Sequence, residues 1–204
     1  MTILSERGIA EISPDDLGPR CPVIWLNDFS QESAKSFFEA MSMFLSNEDI
    51  HSIVIYIDSF GGEVDALATI AELIETSTKP VYTCVIGKAF SAGAILASLG
   101  TPGHRYCSPN SRMMYHRIAI TEFETPAEKI MHLAKEIVRV NDLWLKKVVA
   151  KSKMDWKKFN ESLDKCGGEW FLSAKEAQKL GLIDHIGVPR ITEIRQWRIE
   201  TSEK

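Results

Sequence analysis

Residues 52–58 read SIVIYID, a nearly unbroken run of β-branched and aromatic residues. Such a run fits a strand covered on both faces, the kind found in parallel sheets flanked by helices. SFGG (59–62) breaks the run, and Val64, Leu67, Ala68, Ala71 and Leu73/Ile74 then recur at helical spacing, ending before Pro80. One strand, one glycine turn and one amphipathic helix therefore make a strand–helix unit. The same unit recurs on either side. PVIWL (22–26) reads as a short buried strand, followed by a helix with Ser30 as N-cap. Ala34, Phe37, Phe38, Met41, Phe44 and Leu45 form the apolar face of that helix. VYTCVI (81–86) is the next strand, with SAGAILASLG helical behind it. HRYC and SRMMYH are expected as short strands around the turn SPN. This alternation predicts parallel strands joined by right-handed crossovers.

The second half changes character. TPAE (125–128) is a capping box with Pro at the first helical position, opening a long helix to about Ala150. Ile130, Leu133, Ala134, Ile137, Asn141, Trp144, Leu145 and Val148 mark one stripe, and Met131, Val138 and Val149 add apolar surface off it. That pattern suits a helix packed on two surfaces, the second supplied by the same chain or by another subunit. DWKKFNESLDK reads as a short helix, SAKE (173–176) opens another that Gly181 closes, and LIDHI ends the core as a strand.

Val81–Gly100 is long enough to span a bilayer, but it is weakly apolar and carries Lys88 near its centre. A central lysine costs about 2.5–3.5 kcal/mol on insertion, so the stretch is expected inside a protein core. The N-terminus lacks the basic start and apolar block of a signal peptide. A net charge of -4 offers no field for nucleic acid. Cys21, Cys84, Cys107 and Cys166 form no CxxC pair, and the five histidines show no metal-ligand spacing. Reduced thiols, no metal and a cytoplasmic location are expected. Gly87–Lys88 resembles the end of a P-loop, but Tyr82 stands where the first glycine belongs and Ala89 follows the lysine. No cofactor is expected.

Three places could carry chemistry. Ser91 lies between a strand and a helix N-terminus, where free amides can hold an oxyanion. The alternative is a helix cap, the common role of such a serine. Ala89 excludes the α/β-hydrolase nucleophile elbow, which needs glycine two residues before the serine. Gly61/Gly62 end the neighbouring strand, so they can share a cleft with Ser91, or serve only a tight turn. His116 closes the SRMMYH strand as a general base or as a structural histidine.

Taken in order, SFGGEVDALATIAELIETSTKPVYTCVIGKAFSAGA, GTPGHRYCSPNSRMMYH and FLSAKEAQKLGLID resemble the proteolytic subunit of the Clp protease, over about Val23 to Ile186. The resemblance implies an α/β, crotonase-like spiral of β-β-α units with a long handle helix. It also implies a self-compartmentalised serine endopeptidase acting on unfolded proteins or short peptides. Heptameric rings, stacked in pairs through the handle helices, and a separate ATPase unfoldase belong to that picture. Ser91 matches the nucleophile and His116 the base. The amides of Gly62 and Ala92 match the oxyanion hole. Glu169 stands where the family has its aspartate, with Asp164 as the other acid candidate. Phe60 replaces the family's usual proline, and RIAITEFE follows His116 in place of Gln-Pro and a glycine pair. These departures mark a divergent member. Residues 1–20 are then a flexible N-terminal segment, 21–188 the peptidase domain with its handle at about 125–150, and 189–204 a tail. Three rivals are a catalytically inactive scaffold subunit, a crotonase-type acyl-CoA enzyme, and a signal-peptide-peptidase-like Ser–Lys enzyme using Lys88.

Overall fold

A computed structural model describes residues 21–118 and 127–189. The expected N-terminal segment, most of the capping box at 125–128, most of the segment after His116 and nearly all of the C-terminal tail lie outside them.

The elements run β1 (Val23–Leu26), α1 (Gln31–Ser46), β2 (Ile53–Ser59), α2 (Val64–Glu75), β3 (Val81–Phe90) and α3 (Ala92–Leu99). They continue with β4 (Arg105–Cys107), β5 (Arg112–His116), α4 (Ala127–Ala150), α5 (Trp156–Lys165), β6 (Glu169–Ser173), α6 (Ala174–Lys179) and β7 (His185–Ile186). The sheet order is β1-β2-β3-β4-β7, with β5 paired to β3 and β6. Every pairing is parallel except β5 with β6. The fold is therefore a mixed α/β, mainly parallel arrangement, consistent with the crotonase-like class that the resemblance implies.

β3 differs most from its sequence reading. The strand expected over 81–86 runs on to Phe90, because two different strands complete its ladder. Thr83–Val85 pair with β4, while Lys88–Phe90 pair with β5. β4 and β5 therefore lie beside successive parts of β3 and do not pair with each other as a hairpin. α3 follows at once and is buried along its whole length. No helix among the described residues is long and apolar enough to cross a membrane. The small residues of AGAILASL allow this helix to sit deep in the core, where Ser98 shares a 2.6 Å hydrogen bond with Tyr115 of β5.

α1 opens with the expected Ser30 cap, reciprocated by Ser33. Ala34, Phe37, Met41 and Phe44 are buried and Leu45 packs against them, but Phe38 turns to solvent. On α2 the buried line is Ala66, Leu67, Ile70, Ala71 and Ile74, and Ala68 faces water. Both differences are rotations of the buried stripe, since a helix face is wider than one row of residues. The two halves of α4 differ sharply. Asn141, Trp144, Leu145 and Val148 are buried, whereas Ile130, Met131 and Val138 are exposed. Its first half thus offers apolar surface that the described residues do not cover. α6 carries the expected capping box between Ser173 and Glu176.

Candidate active site

Ser91 sits between β3 and α3 with φ 55° and ψ -122°, the one positive φ outside glycine among the described residues. Such a conformation costs about 1–3 kcal/mol and needs surrounding bonds to hold it. The Ser91 N–H donates to the Met114 carbonyl at 2.8 Å, and its own carbonyl accepts from Ala94 and Ile95 at 3.0 and 3.1 Å. The strained turn directs the hydroxyl away from the helix end, and the side chain makes no capping bond. Its Oγ instead lies 2.6 Å from Nε2 of His116. The link is made by the sheet: β5 lies beside the last residues of β3, so its C-terminal residue His116 comes level with the turn that follows β3.

The Gly-Gly turn comes from β2, the other neighbour of β3. Gly61 has φ 103°, and a Cβ there would lie 2.7 Å from the Ser91 Cβ and 3.2 Å from the Ala92 nitrogen. Gly62 has φ 152°, and a Cβ there would meet the Phe29 carbonyl at 2.3 Å. Only glycine allows both approaches. The parallel bridge between Phe29 and Gly62 fixes the turn, with the Glu63 N–H donating to the Phe29 carbonyl at 2.7 Å. No carbonyl among the described residues accepts the N–H of Gly62 or of Ala92. Two unspent donors thus lie on two adjoining turns beside a serine hydroxyl, the arrangement that stabilises an oxyanion.

Glu169 is the first residue of β6 and pairs directly with His116 in the antiparallel register. Directly opposed residues project from the same face of a sheet. Glu169 is exposed, and no hydrogen bond joins it to His116. Asp164 is turned to Arg117, with Oδ1 accepting from Nη1 at 2.9 Å in an exposed pair. Lys88 is also committed elsewhere. Its Nζ lies 2.8 Å from Asp58 and 4.1 Å from the centre of the Phe60 ring.

Two features were not assigned a role from the sequence. β6 itself was not expected, because EWFLS has no glycine or proline boundary of its own before the next helix. Asn141 belongs by its spacing to the α4 stripe. Its buried side chain accepts the Ile118 N–H at 3.2 Å through Oδ1, so it pins the backbone two residues beyond His116. A lone amide in an apolar stripe was the available signal. Gly62, Leu67, Ser91, Ala92, His116 and Trp144 line a narrow cleft of about 30 Å³, room for a water or two. Among the described residues no cluster of His, Cys, Asp or Glu could hold a metal ion.

The Clp protease family profile matches residues 20–190. The chain is 30% identical over 165 residues to the ATP-dependent Clp protease proteolytic subunit 2 of Prochlorococcus marinus, covering 80% of this chain and 81% of that one. Subunit 3 of a Synechococcus species is 32% identical with the same coverage of both chains. Subunit 1 of Bifidobacterium longum is 31% identical over 76% of this chain and 65% of its own length.

Proposed function

The chain belongs to the Clp protease family, and on that premise we propose that it is an active serine endopeptidase subunit with Ser91 as nucleophile. The observation that carries this reading is the 2.6 Å contact between Ser91 Oγ and His116 Nε2, made by a serine held at positive φ. His116 takes the Ser91 proton as Oγ bonds to the carbonyl carbon of the substrate. The Gly62 and Ala92 amides hold the negative charge that develops on the carbonyl oxygen. As the C–N bond breaks, His116 passes the proton to the leaving amine. Water, deprotonated by His116, then releases the acyl group and restores Ser91. Glu169, opposite His116, orients the imidazole once substrate closes the site. The substrates are unfolded chains or short peptides. The uncovered half of α4 is the contact through which copies assemble into stacked rings in the cytoplasm. The relatives are named as ATP-dependent, and a separate ATPase unfoldase is the corresponding partner of this chain.

A fluorophosphonate probe and short fluorogenic peptides test the assignment on size-fractionated protein. Wild type is expected to be labelled and to cleave. Ser91→Ala is expected to elute at the same size with neither activity. Labelling that survives in Ser91→Ala places the nucleophile elsewhere. A second reading, a scaffold subunit in a mixed ring, is favoured by one observation: Glu169 makes no bond to His116. An intact, unlabelled wild-type assembly would select it. Acyl-CoA chemistry has no comparable support, since it needs no Ser–His pair.

A further inference from the structure

Three phenylalanines stand beside the Ser91 turn. Phe60, immediately before the Gly-Gly turn, is 73% exposed, and its ring meets Phe90 edge-on at 6.0 Å. Phe90, immediately before Ser91, meets Phe171 of β6 edge-on at 5.5 Å, and Phe171 is 49% exposed. Phe90 pairs with Met114, and Met114 with Phe171, so the three side chains project from one face of the sheet. The opposite face at the neighbouring register carries Ala89, Met113 and Leu172, all in the core. Two residues further along, His116 and Glu169 project from the same face as Met114 and Phe171. The result is an aromatic shelf that runs up to the histidine, with Phe60 and Phe171 open to solvent and the buried Phe90 ring touching both. Lys88 and Arg112 stand over its rings as a cationic rim.

The shelf and the narrow cleft flank Ser91 differently. The cleft contains both amide donors, Gly62 and Ala92, and His116 also lines it, whereas the shelf holds neither donor. A substrate carbonyl held by those amides points its oxygen into that cleft, which has room for little more. The leaving amine must then face His116, which protonates it, and His116 belongs to the shelf's face of the sheet. We propose that the Phe60–Phe90–Phe171 shelf is a substrate subsite that takes a bulky apolar residue, best an aromatic one, on the leaving-group side of the scissile bond. This inference rests on the peptidase reading for its polarity along the peptide. Edge-to-face packing with rings already fixed in place gives such a residue contact area at little ordering cost.

The test reads binding without chemistry. Fluorescent peptides that differ only in the residue after the intended scissile bond are titrated onto assembled Ser91→Ala protein. Phe at that position should bind about tenfold more tightly than Ala, the gain expected from burying one face of an aromatic ring. Adding Phe60→Ala or Phe171→Ala should reduce the difference to under about twofold, while Phe60→Leu should keep most of it. Phe38→Ala, on the exposed side of α1, serves as the control and should leave the preference intact. Equal binding of the Phe and Ala peptides overturns the shelf, as does a preference that survives both truncations. A change in assembly size on Phe60→Ala, with peptide affinity unaltered, reassigns the rings to a contact between copies and also overturns it. The two readings fail separately. Wild type labelled by fluorophosphonate with no Phe preference removes only the subsite. A Phe preference in a chain that the probe never labels removes only the peptidase.

Discussion

Gly61→Ala is the substitution that most directly separates catalytic geometry from stability. The added Cβ would stand 2.7 Å from the Ser91 Cβ, 3.0 Å from the Phe90 carbonyl oxygen and 3.2 Å from the Ala92 nitrogen. Ordinary contact begins near 3.4 Å, so the serine turn or the glycine turn must yield by about 0.7 Å. The yielding parts are the nucleophile and both oxyanion donors. A displacement near 1 Å costs about a hundredfold in rate, and a lost oxyanion donor about 10²–10³-fold. kcat/KM for a fluorogenic peptide should therefore fall by about 10²–10³, mostly in kcat. The positive φ adds backbone strain of about 1–3 kcal/mol, visible as a lower Tm. Gly103→Ala supplies the comparison. Gly103 has φ 84°, and nothing lies within 4 Å of a Cβ placed there. That variant should lose similar stability with kcat/KM within about twofold of wild type, because only the strain is shared. The reasoning fails if Gly61→Ala melts lower yet keeps its kcat, or if Gly103→Ala loses activity to the same extent.

Glu169→Gln should lower kcat/KM by about 10–100-fold, less than for a triad acid already bonded to its histidine. Asp164→Asn should stay within about twofold, because its pair with Arg117 is exposed; steady-state kinetics on the two variants reverses the assignment of the acid if their effects are exchanged. Burial raises the Asp184 carboxyl, but three bonds from Arg105 outweigh it and hold the group below its usual range. Its stabilisation is thus complete above the unfolded value of about 3.9 and is lost as pH falls through the folded one. Urea midpoints between pH 6 and pH 3 should fall more steeply for wild type than for Asp184→Asn, which should itself be about 3 kcal/mol less stable at pH 7 because Arg105 is left buried and unpaired. Burial pushes the Cys84 and Cys107 thiols up to about 12. An unfolded chain ionises them near pH 9, so stability should decline as pH rises from there, and the decline should shrink in Cys84→Ala/Cys107→Ala. At pH 8 iodoacetamide should modify exposed Cys166 and leave both buried thiols intact, as peptide mapping would show.

The parallel strands and the helices behind them were legible because each carries a local signature. SIVIYID is apolar on both faces, Ser30 and Ser173 cap their helices, and glycine ends β2. That Gly61/Gly62 and Ser91 share a cleft was legible from adjacent strand ends, whereas His116 joined them only through the family resemblance. In the structure β2 and β5 both pair with β3, which brings the glycine turn and the last residue of β5 to the serine. Other features were not legible because tertiary pairing decides them. Lys88–Phe90 carry no strand signal of their own and extend β3 only because β5 completes the ladder. EWFLS is a strand only because β5 presents an open edge to it, and that antiparallel pairing alone brings Glu169 opposite His116. Phe90 had no evident reason to stand beside a nucleophile amid small residues. Its explanation lies in Phe60 and Phe171, each distant in sequence.

The split ladder of β3 links these observations. A strand that ended at 86 would place the serine turn against β4, where Arg105 holds Asp184 and the Tyr106 ring packs on His185. Four further residues carry the turn past β4 to the level where β5 ends. There the Met114 carbonyl accepts the Ser91 N–H and His116 meets Oγ. The strained φ of Ser91 follows from the same constraint. The chain leaves an extended strand, held by Met114 until its last step, and enters a helix at the next residue with no loop between them. A two-residue insertion after Phe90 would relieve the strain and leave α3 free to pack. It would also carry Ser91 away from Nε2, and the assembled protein should then keep its fold by circular dichroism while losing fluorophosphonate labelling. An insertion variant that still labelled would show that the coupling between strand length and the hydroxyl's position is not what sets the reactive geometry.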